Sequence, residues 1–482
     1  MEDASADIIL DAGDVLNQLF KQIYHSTVLR LVVLSFVVYN ANLRSITSLD
    51  TLATRFVPIS IIKEFNLDLD EFPVLHKRPV WLGSQSSGDK IDKNSDQHSD
   101  ENGVPYYVRF TRGHYMPTFP VMGAVLSVPV YIIPVLLGLT DGPPSATGYT
   151  RTEIMATFLS KISASLAVAI SVGFVYLTLL RSTSRTGALW IALVYAFATG
   201  SWSISSQGLW QSAMGQPALA LAFYFFVKAR ENARHVIYAG IPLAISVACR
   251  PSNIIFAVVF FIYVIHRYRS EVFRFMVSPT ILGMFLAAYN LYYFGTLGGG
   301  YSNSGTLDTV TSFRWDAFLG LLFSPSRGLL IYSPVFIFAF FGIRKTWNRT
   351  KDPLFIYTAV ATILLILFYS FFPGWHGAFG YGYRVLVELV PGLCLLLGTV
   401  YDRIFANRWT RTVFAMLFLY SVSIQMIGAF DYPCGWYDSP ANALENPKRF
   451  WDWHDPEFAR CLRAGPVDPD GLRLIRQIVG KH

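Results

Sequence analysis

Long apolar runs recur along almost the whole chain, separated by short loops, and many are long enough to cross about 30 Å of hydrocarbon. A chain built this way folds in a bilayer, because so many uninterrupted apolar stretches leave too little polar surface for a soluble body. Composition agrees: 53% of the 482 residues are hydrophobic and 15% charged, with a mean hydropathy of +0.39. The formal charge of +7 does not indicate nucleic acid, because the cations stand in small groups beside the spans.

The pattern predicts an all-α integral membrane protein of about eleven transmembrane helices, over 27–43, 153–180, 187–204, 212–228, 235–249, 252–266, 275–293, 328–343, 354–372, 385–401 and 412–430. Every second loop is basic: Lys228, Arg230 and Arg234, then Arg267, Arg269 and Arg274, then Arg344, Lys345, Arg349 and Lys351, then Arg403, Arg408 and Arg411. By the positive-inside rule these are cytoplasmic, which places the N-terminus inside and the C-terminus outside. The domains expected are a cytoplasmic amphipathic helix (1–26), the first span (27–43), a long extracytoplasmic loop with juxtamembrane helices (44–152), a multi-span domain (153–430) and an extracytoplasmic tail (431–482). Within the first loop, Gly83–Gly103 is a polar tract, and the apolar stretch 115–139 holds Pro117, Pro120, Pro129 and Pro134, which suits a helix in the interface. In the tail, Cys434 and Cys461 pair if that side is oxidising.

Chemistry concentrates on the outer side. Asp50 follows the first span at the depth where a membrane enzyme would hold a base, although it could equally cap a juxtamembrane helix. Arg55, Arg250, Arg327 and Arg384 face outward at membrane depth with almost no Lys beside them, a bias that points to an anion site. Arg384 and Glu388, four apart, are alternatively a helical ion pair. The Gly-aromatic stretch Trp375–Arg384 leads into a span, and its aromatic rings suit a sugar face. Asp68-Leu69-Asp70-Glu71 has the look of a metal motif but is common on solvated loops. No residue is assigned to a metal and no cofactor is assigned, a divalent cation being the one possibility left open.

Three segments, Tyr115-Met116-Pro117-Thr118-Phe119-Pro120, Ser324–Pro334 and Gly380-Tyr381-Gly382-Tyr383-Arg384, together with an Asp just after the first span, resemble the GT-C superfamily of polytopic glycosyltransferases, which use polyprenyl-phosphate-linked sugar donors. The resemblance covers most of the chain. It implies a GT-C-like fold, a catalytic base at Asp50, and a bacterial inner-membrane location with the active site on the extracytoplasmic face. It departs from the pattern in that Asp50 has no adjacent second acid, which leaves metal dependence open.

The expected reaction is sugar transfer to a glycan, lipid or protein hydroxyl, with inversion. Asp50 takes the proton, and Arg55, Arg250, Arg327 and Arg384 hold the phosphate. His376, Tyr381, Glu388 and Tyr332 contact the sugar or donor. The alternative is a transporter or flippase for a lipid-linked or anionic solute, for which outward Arg would look similar. No repeat between halves is visible, and Lys161 is the main charge inside an apolar run.

Overall fold

The computed structural model describes residues 26–76, 104–141, 150–303, 312–349 and 352–468. Helices of eight residues or more are α1 (Thr27–Asn40), α2 (Val57–Glu64), α3 (Met122–Leu136), α4 (Arg151–Leu179), α5 (Arg185–Phe197), α6 (Gln211–Lys228), α7 (Gly240–Cys249), α8 (Ile254–Arg267), α9 (Val272–Phe294), α10 (Trp315–Phe323), α11 (Ile337–Arg349), α12 (Pro353–Tyr369), α13 (Val390–Gly398), α14 (Arg408–Phe430) and α15 (Glu457–Ala464). The helix expected over 1–26 lies outside the described residues except for Ser26, which caps α1 by accepting from Leu29 N. The tract Gly83–Gly103 also lies outside them.

The chain is not purely helical. Strands β1 (Val108–Thr111) and β2 (His114–Pro117) form an antiparallel hairpin. Part of the stretch expected as one helix over 115–139 is therefore strand, and α3 begins only after Pro120. Val108 is buried and Phe110 on the same side of the strand is exposed, and Gly113 at φ +87 allows the turn.

Among the described residues, three helical stretches are long and apolar enough to cross a membrane: Arg151–Leu179, Arg269–Phe294 and Arg408–Phe430. The other expected spans are shorter or broken. After α5 the chain makes a π-helical turn over Ser201–Ser205. The run 328–343 breaks at Ser333-Pro334, and 385–401 opens as a 3-10 helix over Arg384–Leu389. Irregular backbone in an apolar interior needs side chains to satisfy it. Tyr383 OH accepts from Gly200 N at 2.8 Å, Ser333 Oγ donates to Ala198 O at 2.8 Å, and Gln425 Nε2 donates to Tyr332 O at 3.0 Å.

The central element is α4, opened by a capping box between Thr150 and Glu153. It packs against α1, α5 and α6. Gly173 lets α1 approach: a Cβ there would stand 3.1 Å from Val28 and 3.2 Å from Val32. Such small residues are how helices pack closely in lipid. In contrast, α9 leaves Phe273, Val277, Met284 and Phe285 exposed, an apolar face suited to hydrocarbon.

Lys161, the cation inside α4, is wholly structural. Its ammonium donates to Tyr39 O (2.8 Å), Ser206 O (3.1 Å) and Gln207 Oε1 (2.7 Å), and Asn42 Nδ2 donates to the same Gln207 oxygen at 2.7 Å. This joins the end of α1 to α4 and the π turn. Lys161→Met is expected to lower stability by roughly 1–3 kcal/mol, the cost of leaving buried acceptors unpaired, read as earlier loss of monodisperse protein on heating in detergent.

Candidate functional site

A cavity of about 550 Å³ is lined by Asp50, Trp210, Gln211, Arg250, Tyr301, Tyr369 and Arg384, with Leu286, Ala287 and Phe294 of α9 contributing apolar wall. It brings together three residues that stand far apart in the sequence, and each sits at a break in regular structure.

Asp50 lies in the 3-10 turn Leu49–Thr51. Its carboxylate bonds to side chains: Oδ2 accepts from Arg384 NH2 at 2.9 Å, and Oδ1 accepts from Tyr106 OH at 2.8 Å. Arg384 also donates to Phe379 O at 2.8 Å and lies over the Trp210 ring, 4.8 Å from its centroid. Gly380 makes room for this folded-back side chain, since a Cβ there would fall 2.7 Å from Arg384 Cδ.

Arg250 ends α7 just before Pro251. It donates to Glu388 Oε2 at 2.5 Å and lies over the Tyr369 ring. The helical pair Arg384–Glu388 suggested by their spacing is thus replaced by two others, Arg384–Asp50 and Arg250–Glu388. The cause is local: Arg384–Leu389 is a 3-10 helix, in which residues four apart are turned by about 120°.

Arg327, Arg55, His376, Tyr381, Tyr332 and Glu388 are not among the cavity-lining residues. Arg327 is 2% exposed and donates to Glu457 Oε2 at 2.6 Å, His376 O at 3.0 Å and Ser326 O at 2.6 Å. Glu457 opens α15 in the tail, and the same oxygen accepts from Gly382 N at 3.2 Å and Tyr332 OH at 3.4 Å. Tyr381 OH donates to Ile424 O at 2.8 Å. His376 stacks on Phe450, centroids 4.2 Å apart. Burial, with Arg327 next in effect, lowers its pKa to about 3, so it is neutral at pH 7. Arg55 is buried, its carbonyl accepts from Tyr131 OH at 3.2 Å, and its guanidinium donates to Thr157 Oγ1 at 2.7 Å. Burial lowers its pKa to about 10.

The tail is held by the Cys434–Cys461 disulfide and by Trp436 Nε1 donating to Asp455 O at 2.7 Å. Glu457, Tyr106, Trp210 and Tyr301 escaped the sequence reading. No spacing or motif links them to Asp50 or the arginines.

Asp68, Asp70 and His114 each offer a ligand atom within 4.8 Å of the others, a set that could hold a divalent cation. In this arrangement His114 Nδ1 meets Asp70 Oδ2 at 2.8 Å, and the Asp70 hydrogen bond holds the imidazole above its usual pKa. None of the three lines the cavity.

No protein-family model matches the chain, and no curated protein matches it. Among solved structures, the chain is similar to the apo oligosaccharyltransferase of Archaeoglobus fulgidus at 11% identity and a TM-score of 0.48, covering 93% of this chain and 62% of that one. The same enzyme tethered to an acceptor peptide with an NVT sequon matches at 12% identity and a TM-score of 0.47, over 93% and 61%. Its complex with an inhibitory peptide and a dolichol-phosphate matches at 11% and 0.44, over 92% and 61%. The chain spans about three fifths of their length.

Removing one partner of the Arg327–Glu457 pair is expected to cost about 3–5 kcal/mol, because the other charge is left buried alone. Arg327→Leu with Glu457→Leu together should cost less than the sum of the single changes, a difference that thermal unfolding of the four proteins measures. His376 yields a pH prediction. Between its folded pKa of about 3 and the ordinary value of 6.5, the unfolded chain binds a proton that the folded chain refuses. Its contribution is complete above 6.5 and is lost as pH falls towards 3. The stability of His376→Phe should therefore fall less steeply over that interval than that of the wild type.

Proposed function

We propose that the cavity carries glycosyl transfer from a polyprenyl-phosphate-linked sugar to an acceptor hydroxyl on the extracytoplasmic face. The observation that carries this reading is the convergence of one carboxylate, Asp50, and two arginines, Arg250 and Arg384, on a single cavity that has the apolar helix α9 in its wall. A soluble nucleotide sugar is generally unavailable outside the cytoplasm, so the donor has to be anchored in the bilayer.

The acceptor oxygen attacks the anomeric carbon and the bond from that carbon to the phosphate oxygen breaks. Asp50 receives the hydroxyl proton, and the phosphate leaves with the bonding electrons beside Arg384 and Arg250. A single displacement inverts the anomeric carbon. The departing phosphate is already a stable anion, so no general acid is needed. Trp210, Tyr301 and Tyr369 offer ring faces to the sugar, and α9 offers apolar surface to the first isoprene units. The phosphate role narrows from four arginines to Arg250 and Arg384. Arg327, with His376, Tyr381, Tyr332 and Glu388, acts in holding the loops, and Arg55 in bonding to Thr157 of α4. A divalent cation held by Asp68, Asp70 and His114 would pin β2 to the 68–70 turn.

Purified protein in nanodiscs, given a panel of polyprenyl-phosphate sugars, is expected to release polyprenyl phosphate detectable by mass spectrometry. Asp50→Asn should lower the rate by about 10²- to 10⁴-fold. Undiminished turnover would remove Asp50 as base, and release by neither folded protein would favour transport of a lipid-linked or anionic solute.

A further inference from the structure

Asp50 and Arg384 cannot both be free for the proposed reaction while they are joined to each other. The Arg384 guanidinium that the donor phosphate needs is bonded to Asp50 Oδ2, and the other carboxylate oxygen accepts a hydrogen bond from the Tyr106 hydroxyl. The ion pair is partly open, with side-chain exposures of 17% for Arg384 and 27% for Asp50, so a dianionic or monoanionic phosphate entering the cavity can reach the guanidinium. Arg384 would keep its bond to Phe379 O and its seat over Trp210 while exchanging one anion for the other. Arg250 is less available for such an exchange, being bonded to Glu388, whose side chain is 1% exposed.

We propose that Arg384 is passed from Asp50 to the donor phosphate, and that Tyr106 is the positioning residue which keeps Asp50 in place once its arginine has left. This rests on the reading of the cavity given above. The exchange frees Oδ2 to accept the acceptor hydroxyl proton only after the leaving group is bound, so donor binding precedes activation of the base. Tyr106 is suited to the task because its ring is set edge-on against Tyr107 and Phe119, with centroids 5.7 and 6.1 Å away. Phe119 packs in turn on the cavity residue Tyr301 at 5.6 Å.

The exchange makes an unusual demand: deleting the base's charge must improve binding of the leaving group. The test is titration of polyprenyl phosphate, without sugar, into the full-length protein in nanodiscs of neutral lipid, following calorimetric heat, with each variant first shown to be monodisperse. Asp50→Asn is expected to bind roughly fivefold tighter than wild type, since Arg384 no longer has a competing anion. Arg384→Gln should bind more weakly. Tyr106→Phe should leave polyprenyl phosphate affinity within about twofold while lowering kcat at least tenfold, a split that mere loosening of the fold would not produce. Equal affinity of wild type and Asp50→Asn, with turnover still lost in the variant, would overturn the exchange and leave Asp50 as the base. No binding to any of the proteins would overturn both the exchange and the polyprenyl-phosphate reading. Wild-type kcat in Tyr106→Phe would remove Tyr106 from the proposal.

Discussion

The buried ion pair between Arg327 and Glu457 ties three distant segments together beside the cavity residue Arg384. Two charges taken out of water are stable only when the remaining donors and acceptors are also met. Here His376 O and Ser326 O accept from the guanidinium, while Gly382 N and Tyr332 OH donate to the carboxylate. The pair therefore joins three segments: the 324–334 turn, the 376–384 loop and the tail helix α15. Arg384 stands at the end of that loop, so its reach to Asp50 depends on a contact made by a residue in the tail. The Cys434–Cys461 bridge closes the same tail segment and places Glu457 four residues before its second cysteine.

The cavity is assembled from breaks in regular structure. Arg250 ends α7, Arg384 begins a 3-10 helix and Asp50 lies in a 3-10 turn. A continuous helix satisfies its own backbone but presents few convergent polar groups at one depth. Interrupted helices can aim charged groups at a common point, provided side chains take up the freed backbone groups. Tyr383, Ser333 and Gln425 do so behind the cavity.

Much of this was legible from one sequence. The apolar runs located most of the helices, although among the described residues only Arg151–Leu179, Arg269–Phe294 and Arg408–Phe430 are long and apolar enough to cross a membrane, and Cys434 and Cys461 form a disulfide. Breaks inside the runs were harder to see. Ser333-Pro334 looks like a tolerable interruption until Gln425 is seen to support it, and the hairpin before α3 was hidden in a stretch whose prolines suggested an interfacial helix. Among the four candidate arginines, composition could not separate Arg384 and Arg250, which line the cavity, from Arg327 and Arg55, which are buried elsewhere. That division is set by partners such as Glu457, more than a hundred residues from Arg327, and no local spacing encodes it.

In the proposed reaction Arg384 and Arg250 receive the phosphate of a lipid-linked donor beside Asp50. An electron cryo-microscopy structure of the full chain in nanodiscs with polyprenyl phosphate bound tests it directly. The expected result is phosphate oxygens within about 3 Å of both guanidinium groups, the isoprenoid chain along α9, and Asp50 still bonded to Tyr106. Phosphate density elsewhere, with the Asp50–Arg384 pair intact and the cavity open, would contradict it.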